Sequence, residues 1–567
     1  MLAHVALLGA SAVLLGLAFP TVGVPWLAHW ALVPAVVLAV RASSARRLAW
    51  TSWVVFTLWW LVMGRWLAMV TVGGYIAVCM LMAGYMMAAL QLTRWLDRRH
   101  GLPMVAALPL AWVSVEFVRG QFLAGGFGWF VLAHTQAPFR DGQLAGRLIQ
   151  VADLFGEHTV GLLVAMTNGL LADLILRRWT HISRSGRPRL GNALPTATLL
   201  WAAVMAGAWF YGSMRLAVSD LPRGPVVAVV QTNVPQDNRN PRTAQQHAAD
   251  WAELLQLTFE AADAAPLPDL IVWPETVVPL PLNPEARSVY LDSEAVEGTI
   301  QNLARQVRSH LVVGGDAEFD FRAVELPDGR DVWLAGRRHN SAYLYYADGG
   351  AGGRYDKMHR VPFGEYIPWV DSWPAVKRLF VRLFSPWGYD WTIQPGRDMV
   401  RFTVPVLMRE DGGDMPATDI VRLATPICFE DAIPRVCRRM VYDADGRKAA
   451  DMLVNLTNDG WYPGTPQQAQ HLQIATLRCV ENRVPMARAV NTGISGFIDS
   501  MGHVGPLIHV DGRRTLVAGS VRHAMRLDPR QTWFGYWGEW PMWLLTAGTA
   551  ALAAAGALRR GHRSHHA

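Results

Sequence analysis

Residues 420–431 read IVRLATPICFED, an apolar, β-rich run that stops on a cysteine followed at once by two acids. An earlier stretch, DLIVWPE (269–275), has the same build, with Pro274 breaking the run just before Glu275. Each puts a reactive side chain where a strand ends and a loop begins, the place where sites gather in α/β domains. Working outward, further short apolar runs recur at 226–233 (VVAVVQTN), 310–315 (HLVVGG), 340–347 (NSAYLYYA) and 451–458 (DMLVNLTN), with closing strands at 496–502 and 515–521. Helical patterns at about 243–264, 293–309 and 466–482 alternate with them. The pattern predicts an α/β domain with largely buried sheets over 222–528, long enough to bury a full core.

The flanks differ in kind. Only 17% of the 567 residues are charged, against about a quarter in soluble chains. Apolar stretches near 4–20, 24–41, 49–68, 71–93, 104–121, 158–176, 197–218 and 539–558 are read as spans, since crossing a bilayer takes about 20 apolar residues. The expected organisation is an α-helical membrane bundle of about eight spans carrying the α/β domain. Seven spans lie in 1–218, the last in 539–558, and a basic tail in 559–567. The first stretch lacks a basic start and is followed directly by another apolar run, so it reads as a retained helix, not a secretory signal.

Arginines mark alternate loops: Arg41, Arg46 and Arg47; Arg94, Arg98 and Arg99; Arg177, Arg178, Arg184, Arg187 and Arg189; Arg559, Arg560 and Arg563. This places both termini in the cytoplasm and 222–528 outside. It also accounts for much of the net charge of +7, so nucleic-acid binding is not expected. Within the spans, Glu116 and Arg119 sit one helical turn apart and are expected to pair. Gly125, Gly126, Gly128 and Trp129 read as an interfacial loop near lipid headgroups.

Three residues carry the chemistry. Glu275, Lys357 and Cys428 would supply a proton acceptor, an electrostatic stabiliser and a nucleophile, the parts needed to pass an acyl group through a thioester. Taken singly, each has a plain reading: an exposed carboxylate, a solvated lysine, a small buried hydrophobe. Context weakens those readings. Glu430 and Asp431 would raise the thiol's pKa, so a reactive Cys428 requires a compensating cation. Lysine occurs only at Lys357, Lys377 and Lys448, with arginine filling nearly every other basic position. The four cysteines show neither CxxC nor metal spacing, so neither a zinc site nor a disulfide framework is expected, and acyl transfer through a thioester needs no metal or nucleotide cofactor.

WPE (273–275), YDKMHRVPFGEYIP (355–368) and PICFED (426–431), in this order, resemble the nitrilase (carbon–nitrogen hydrolase) superfamily. With the spans, VVQTNVPQ (229–236) and LVNLTNDGWYPGTPQQAQH (453–471), the chain is similar to the bacterial apolipoprotein N-acyltransferases over nearly its whole length. The resemblance implies an αββα sandwich, with Glu275 as general base, Lys357 as oxyanion stabiliser and Cys428 as nucleophile. Glu365 and Glu430 match supporting acids. It also implies a membrane phospholipid as donor, the α-amine of a diacylated apolipoprotein as acceptor, and an enzyme of the bacterial inner membrane acting as a monomer. Family members often carry an aromatic soon after VPQ, where this chain runs VPQDNRNP (234–241).

Trp373, Val376, Phe380, Leu383 and Trp387 recur at steps of three and four, with Lys377, Arg378 and Arg382 beside or away from them. That pattern predicts a helix resting in the headgroup region as a lipid-access lid, ended by Pro386. The plain reading is a helix packed on the domain's own core. His359 is expected to be structural, since Glu275 already fills the base's role. Two rival functions stand beside acyl transfer: a membrane-anchored amidase or nitrilase using water as acceptor, and a transporter or scaffold with a degenerate hydrolase domain.

Overall fold

The computed structural model describes the chain except for residues 21, 123–125, 180–192, 237–241, 264, 326–330, 385–391, 407–419 and 565–567. Its strands are β1 (Arg223–Gln231), β2 (Leu270–Val272), β3 (His310–Phe319), β4 (Arg322–Glu325), β5 (Asp331–Leu334), β6 (Arg337–Tyr345), β7 (Ala351–Asp356), β8 (Phe402–Pro405), β9 (Ile420–Ala424), β10 (Met452–Thr457), β11 (Met486–Val490), β12 (Gly496–Ile498), β13 (Val504–Leu507) and β14 (Gly519–Arg526). They form two six-stranded sheets, β14-β1-β2-β3-β6-β7 and β13-β12-β11-β10-β9-β8, while β4 and β5 make a separate ribbon. β1, β2 and β3 run parallel, as do β9, β10 and β11.

Alternation along the strands shows why two sheets must stack. Val227, Val229, Leu270, Val272 and Val312 meet Val421, Leu423 and Leu453 of the other sheet in one core. The intervening Ala228, Val230, Ile271, Leu311 and Val313 point the other way, onto Leu254, Leu257, Ile300 and Leu303. Those four belong to the helices Ala244–Ala262 and Ser293–Val307. The first starts at a capping box in which Thr243 accepts from the Gln246 amide and Gln246 accepts from the Thr243 amide. On the far side of the second sheet lie Pro434–Val441 and Gln467–Asn482. Helix, sheet, sheet, helix is the expected sandwich.

The N-terminal region is a bundle of several apolar helices. All eight expected spans fall on helices: Leu2–Ala18, a broken stretch from Pro25 to Arg41, Ala45–Met63, Val72–His100, Met104–Gln121, Glu157–Trp179, Ala193–Leu216 and Trp540–Ser564. Among the described residues, four are long and apolar enough to cross a membrane: Val72–His100, Glu157–Leu176, Pro195–Leu216 and Trp540–Leu558. Leu199, Leu200 and Phe210 are exposed, so the apolar surface faces outward as well as inward. The third and fourth stretches, run together in the sequence, are separated by a 3-10 turn at Arg65–Met69.

The two ends of Val72–His100 face different company. Near its C-terminus, Arg94 and Arg98 donate to the Ala39, Ala42 and Val40 carbonyls, and His100 bonds the Leu552 carbonyl at 2.7 Å. Near its N-terminus, Trp66 packs on Trp129 and on Tyr462 of the α/β domain. Arg94, Arg98 and the contact with the α/β domain thus lie toward opposite ends of this helix.

One expectation fails here and another holds only at longer range. Glu116 accepts from the Trp112 indole (3.0 Å) and the Leu132 amide (3.1 Å), while Arg119 lies over the Trp60 ring, so the two charges attract without a direct hydrogen bond among the described residues. Trp129 is buried beneath the cysteine loop, not at a headgroup surface: its ring stacks on Phe429 at 6.4 Å and its indole donates to Gln470 at 2.8 Å. Gly125 lies outside the described residues.

Helix Gln467–Asn482 is buried along its whole length. Leu472, Ala475 and Cys479 pack on the second sheet, Ile474 on the bundle's main core, and Leu477 and Val480 against Ile149, Val151 and Val160. It is the shared wall between the helical bundle and the α/β domain.

Candidate active site

Glu275 follows β2 directly and is buried. Its loop lies on β3 at Gly314, where an added Cβ would sit 2.7 Å from the Glu275 Cα, so only glycine permits this approach. Oε1 of Glu275 accepts from Nδ2 of Asn340 at 2.6 Å and from Nζ of Lys357 at 3.3 Å. Lys357 leaves the end of β7 with its amide on the Asn340 carbonyl at 2.8 Å, and its side chain is fully buried. Its ammonium also meets Glu365 Oε1 at 2.7 Å, while the other Glu365 oxygen accepts from the Val361 amide at 2.7 Å. One ammonium therefore holds two carboxylates.

Cys428 opens the 3-10 turn Cys428–Ala432. The chain reaches it through Ile427, which bridges to Leu456 beside β10. Its φ of +51° lies in the left-handed region, a strained conformation for a non-glycine that accompanies functional turns. The thiol is half-buried and touches two cores at once, the one between the sheets and the one inside the bundle. Tyr462, Val361 and Phe127 pack on the same bundle core.

Glu430 ties the loops together. Its carboxylate accepts from the amides of Ile427 (2.9 Å), Met358 (2.8 Å) and His359 (2.9 Å), and from the Tyr355 hydroxyl at 2.9 Å. It thereby clamps the lysine loop to the cysteine loop. Asp431 turns away into ion pairs with His471 at 2.7 Å and Arg488 at 2.5 Å. Both acids after the cysteine are thus engaged by other groups: Glu430 by amides and a phenol, Asp431 by His471 and Arg488.

Burial, and then the charge of Glu275, push the Cys428 thiol well above its ordinary range, with Lys357 opposing. The resting nucleophile is a protonated thiol. Burial would lower Lys357, but Glu365 and Glu275 overcome it and hold the lysine well above its usual value. Burial also raises Glu275 above an ordinary carboxylate, against the pull of Lys357, which suits a proton acceptor. The arrangement pairs a neutral thiol with a basic carboxylate and a fixed cation. Such a set can move one proton and stabilise one developing oxyanion.

Sequence reasoning missed Asn340, although NSAYLYYA was read as a strand. An asparagine inside a buried run was its signal. It also missed the aromatic wall, in which His359 and Trp129 stack on either side of Phe429. His359 has its imidazole pushed down to about 4, by burial first and then by Arg435 and Lys357. It packs on Phe429, and its lowered basicity disfavours it as an alternative to Glu275. Among the described residues no His/Cys/Asp/Glu group could hold a metal.

The proposed lid helix is present as Pro374–Phe384. Trp373 and Val376 of the expected face are 67% and 46% exposed, and Leu379 beside them is 57% exposed. Lys377 is held by Asp371 at 3.2 Å and Thr392 at 2.7 Å. The excursion is rooted at the site: the Ile393 amide bonds the Glu365 carbonyl at 2.9 Å, and Arg360 covers the Tyr366 ring. Phe380 and Leu383 lie on the helix, whereas Trp387 and residues 237–241 of the departing VPQDNRNP segment fall outside the described residues.

Comparison with known proteins bears on the whole chain. Residues 11–170 match the family described as apolipoprotein N-acyltransferase N-terminal domain, and residues 226–520 match carbon–nitrogen hydrolase. The chain is 30% identical over 514 residues to an apolipoprotein N-acyltransferase of Geobacter metallireducens, covering 87% of this chain and 85% of that one. It is 30% identical over 414 residues to a namesake of Rhizobium meliloti (72% and 65%), and 28% over 546 residues to one of Bordetella bronchiseptica (88% and 88%). A solved carbon–nitrogen hydrolase of Helicobacter pylori aligns at a TM-score of 0.32 and 15% identity, over 56% of this chain and 93% of that one.

Proposed function

We infer the reaction from kinship and chemistry together: the chain belongs to the apolipoprotein N-acyltransferase family, and its hydrolase half is a carbon–nitrogen hydrolase domain. It is a membrane acyltransferase that N-acylates lipoproteins. The observation that carries the residue roles is the buried Glu275–Lys357–Glu365 cluster, whose charges reach the Cys428 thiol, itself packed on the bundle core.

In the proposed first half-reaction Glu275 takes the Cys428 proton and the sulfur attacks an acyl ester carbonyl of a membrane phospholipid. Lys357 stabilises the oxyanion. The C–O bond breaks, Glu275 returns the proton to the leaving alkoxide, and a lysophospholipid departs from a thioacyl enzyme. In the second, the α-amine of the S-diacylglyceryl cysteine attacks the thioester, Glu275 accepts an amine proton, and the thiol is restored as the amide forms. Glu365 and Glu430 hold the lysine and cysteine loops, and ping-pong kinetics follow.

The same reading has eight spans, seven in 1–218 and one in 539–558, with both termini and the tail 559–567 cytoplasmic. The catalytic domain, 222–528, then faces outward, and the exposed Trp373–Leu379 face rests on the outer leaflet as a lid. The enzyme acts as a monomer. The anchored-amidase alternative is disfavoured because the likeness runs through the bundle as well as the hydrolase domain. Complementation tests the reading: the wild type should restore N-acylated lipoproteins in cells depleted of their own N-acyltransferase, and Cys428→Ala should not. Rescue by Cys428→Ala rules out the thioester route.

A further inference from the structure

Next to the thiol, four buried charges join elements distant in sequence. His471 faces Asp431 with Nε2 at 2.7 Å and Asp459 with Nδ1 at 3.0 Å. Arg488, on β11, donates to Asp431 at 2.5 Å and to Asn455 at 2.8 Å, and its second nitrogen stands 3.7 Å from Asp459. All four side chains are almost wholly buried. Asp431 belongs to the turn that begins at Cys428, and Asp459 to the turn Asp459–Trp461. The field of Asp459 also reaches the thiol.

Both ring nitrogens of His471 point at carboxylate oxygens. A neutral imidazole has one N–H, so one of those contacts would set a lone pair against an anion. Only the imidazolium donates to both. In that form the cluster holds two cations and two anions and is neutral overall, the condition for burying charge. The bundle meets the cluster directly, since Trp129 packs on His471 at 5.6 Å and on Phe429 at 6.4 Å.

We propose that His471 is a positioning residue: as an imidazolium it clips the Cys428 turn to the Asp459 turn and sets the nucleophile against the bundle. It touches no substrate and acts through Asp431 and Asp459. The inference rests on the thioester reading above. Burial and Arg488 would depress the imidazole, but Asp431 and Asp459 overcome both and raise it above its ordinary range, which favours the clipped form. Sign follows from that direction. The clip is complete below the ordinary histidine value and opens as pH rises through the raised one.

The test compares thioacylation of Cys428 by labelled phospholipid vesicles in wild type and His471→Gln across pH. Gln keeps one donor and one acceptor, as neutral histidine does, so titrations shared by both proteins cancel in the ratio of their rates. The expected ratio is about tenfold or more near pH 6 and falls toward about one near pH 9, with KM for phospholipid unchanged within about twofold. A ratio constant with pH, or one near unity throughout, overturns the proposal. A wild type that forms no thioester overturns the underlying reaction instead. Should His471→Gln not fold, 15N-histidine spectra of the wild type decide: one ring doubly protonated at about pH 7.5 is expected, and the absence of any such ring refutes the clip.

Discussion

Replacing Lys357 by methionine removes the cation that, among the described residues, meets both Glu275 and Glu365, while keeping a stem of similar length. At 3.3 and 2.7 Å the two attractions are worth about 5 and about 6 kcal/mol at an effective dielectric near 20, before the cost of burying the ammonium is subtracted. Without it the two carboxylates repel, and the site takes up a proton to relieve them. Glu275, already raised by burial, is raised further, so it loses its proton at higher pH than in the wild type. Two losses then coincide. An absent oxyanion stabiliser costs about 10²–10³ in rate and a disabled base about 10²–10⁴, and because they act as a unit the combined loss is at least about 10³ without being their product. The assay is rapid-quench thioacylation of Cys428 by fluorescent phospholipid in nanodiscs, followed against pH. Lys357→Met should fall by that amount, with the acid limb of what remains moved to higher pH. A variant within about tenfold of wild type, or an unmoved limb, would refute the assigned role.

Three other outcomes follow from the same geometry. Asn340→Leu removes a 2.6 Å bond to Glu275, worth about 1.5–3 kcal/mol as a charge-assisted contact; thioacylation should slow by about 10–100-fold with phospholipid KM little changed, which steady-state kinetics will show. Glu430, pushed up to about 7 by burial, binds its proton more tightly folded than unfolded, so its contribution to stability is full below about 4.5 and lost as pH rises through about 7. In Glu430→Gln the loss of stability with pH across that window should shrink, as denaturant melts at a series of pH values will report; an unchanged slope contradicts the assignment. Val376→Asp, on the exposed face of the helix Pro374–Phe384, should lower turnover of vesicle phospholipid several-fold while sparing a water-soluble short-chain ester; equal loss on both substrates would mean the face serves the fold and not the membrane.

What the sequence disclosed depended on whether a residue's role was local. Glu275 and Cys428 were legible because each closes an apolar run at a proline or a turn, and Lys357 because lysine is scarce. Asp431 was misjudged as a burden on the thiol, since nothing nearby in the chain announces His471 or Arg488 as its partners. Arg488 also hides β11: a charge inside MARAV argues against a buried strand until the second sheet brings Asp431 to it. β7, spelled AGGRYD, has the composition of a loop and is a strand only because β6 pairs with it. Helix Gln467–Asn482 was read correctly as a helix, but a period of 3.6 cannot show that bundle and sheet cover both its sides. Trp129 was taken for a headgroup contact for the same reason, its partner Phe429 being 300 positions away.

The central claim is tested most directly by a pulse and chase on one atom. Incubating the enzyme with phospholipid labelled in its acyl chain, without acceptor, should leave the label on the Cys428 sulfur as a hydroxylamine-sensitive thioester in wild type and not in Cys428→Ser. Adding a diacylated lipopeptide should then move that label to the peptide's α-amine faster than water removes it. Label that never reaches Cys428, or that leaves it only as free fatty acid, contradicts the account.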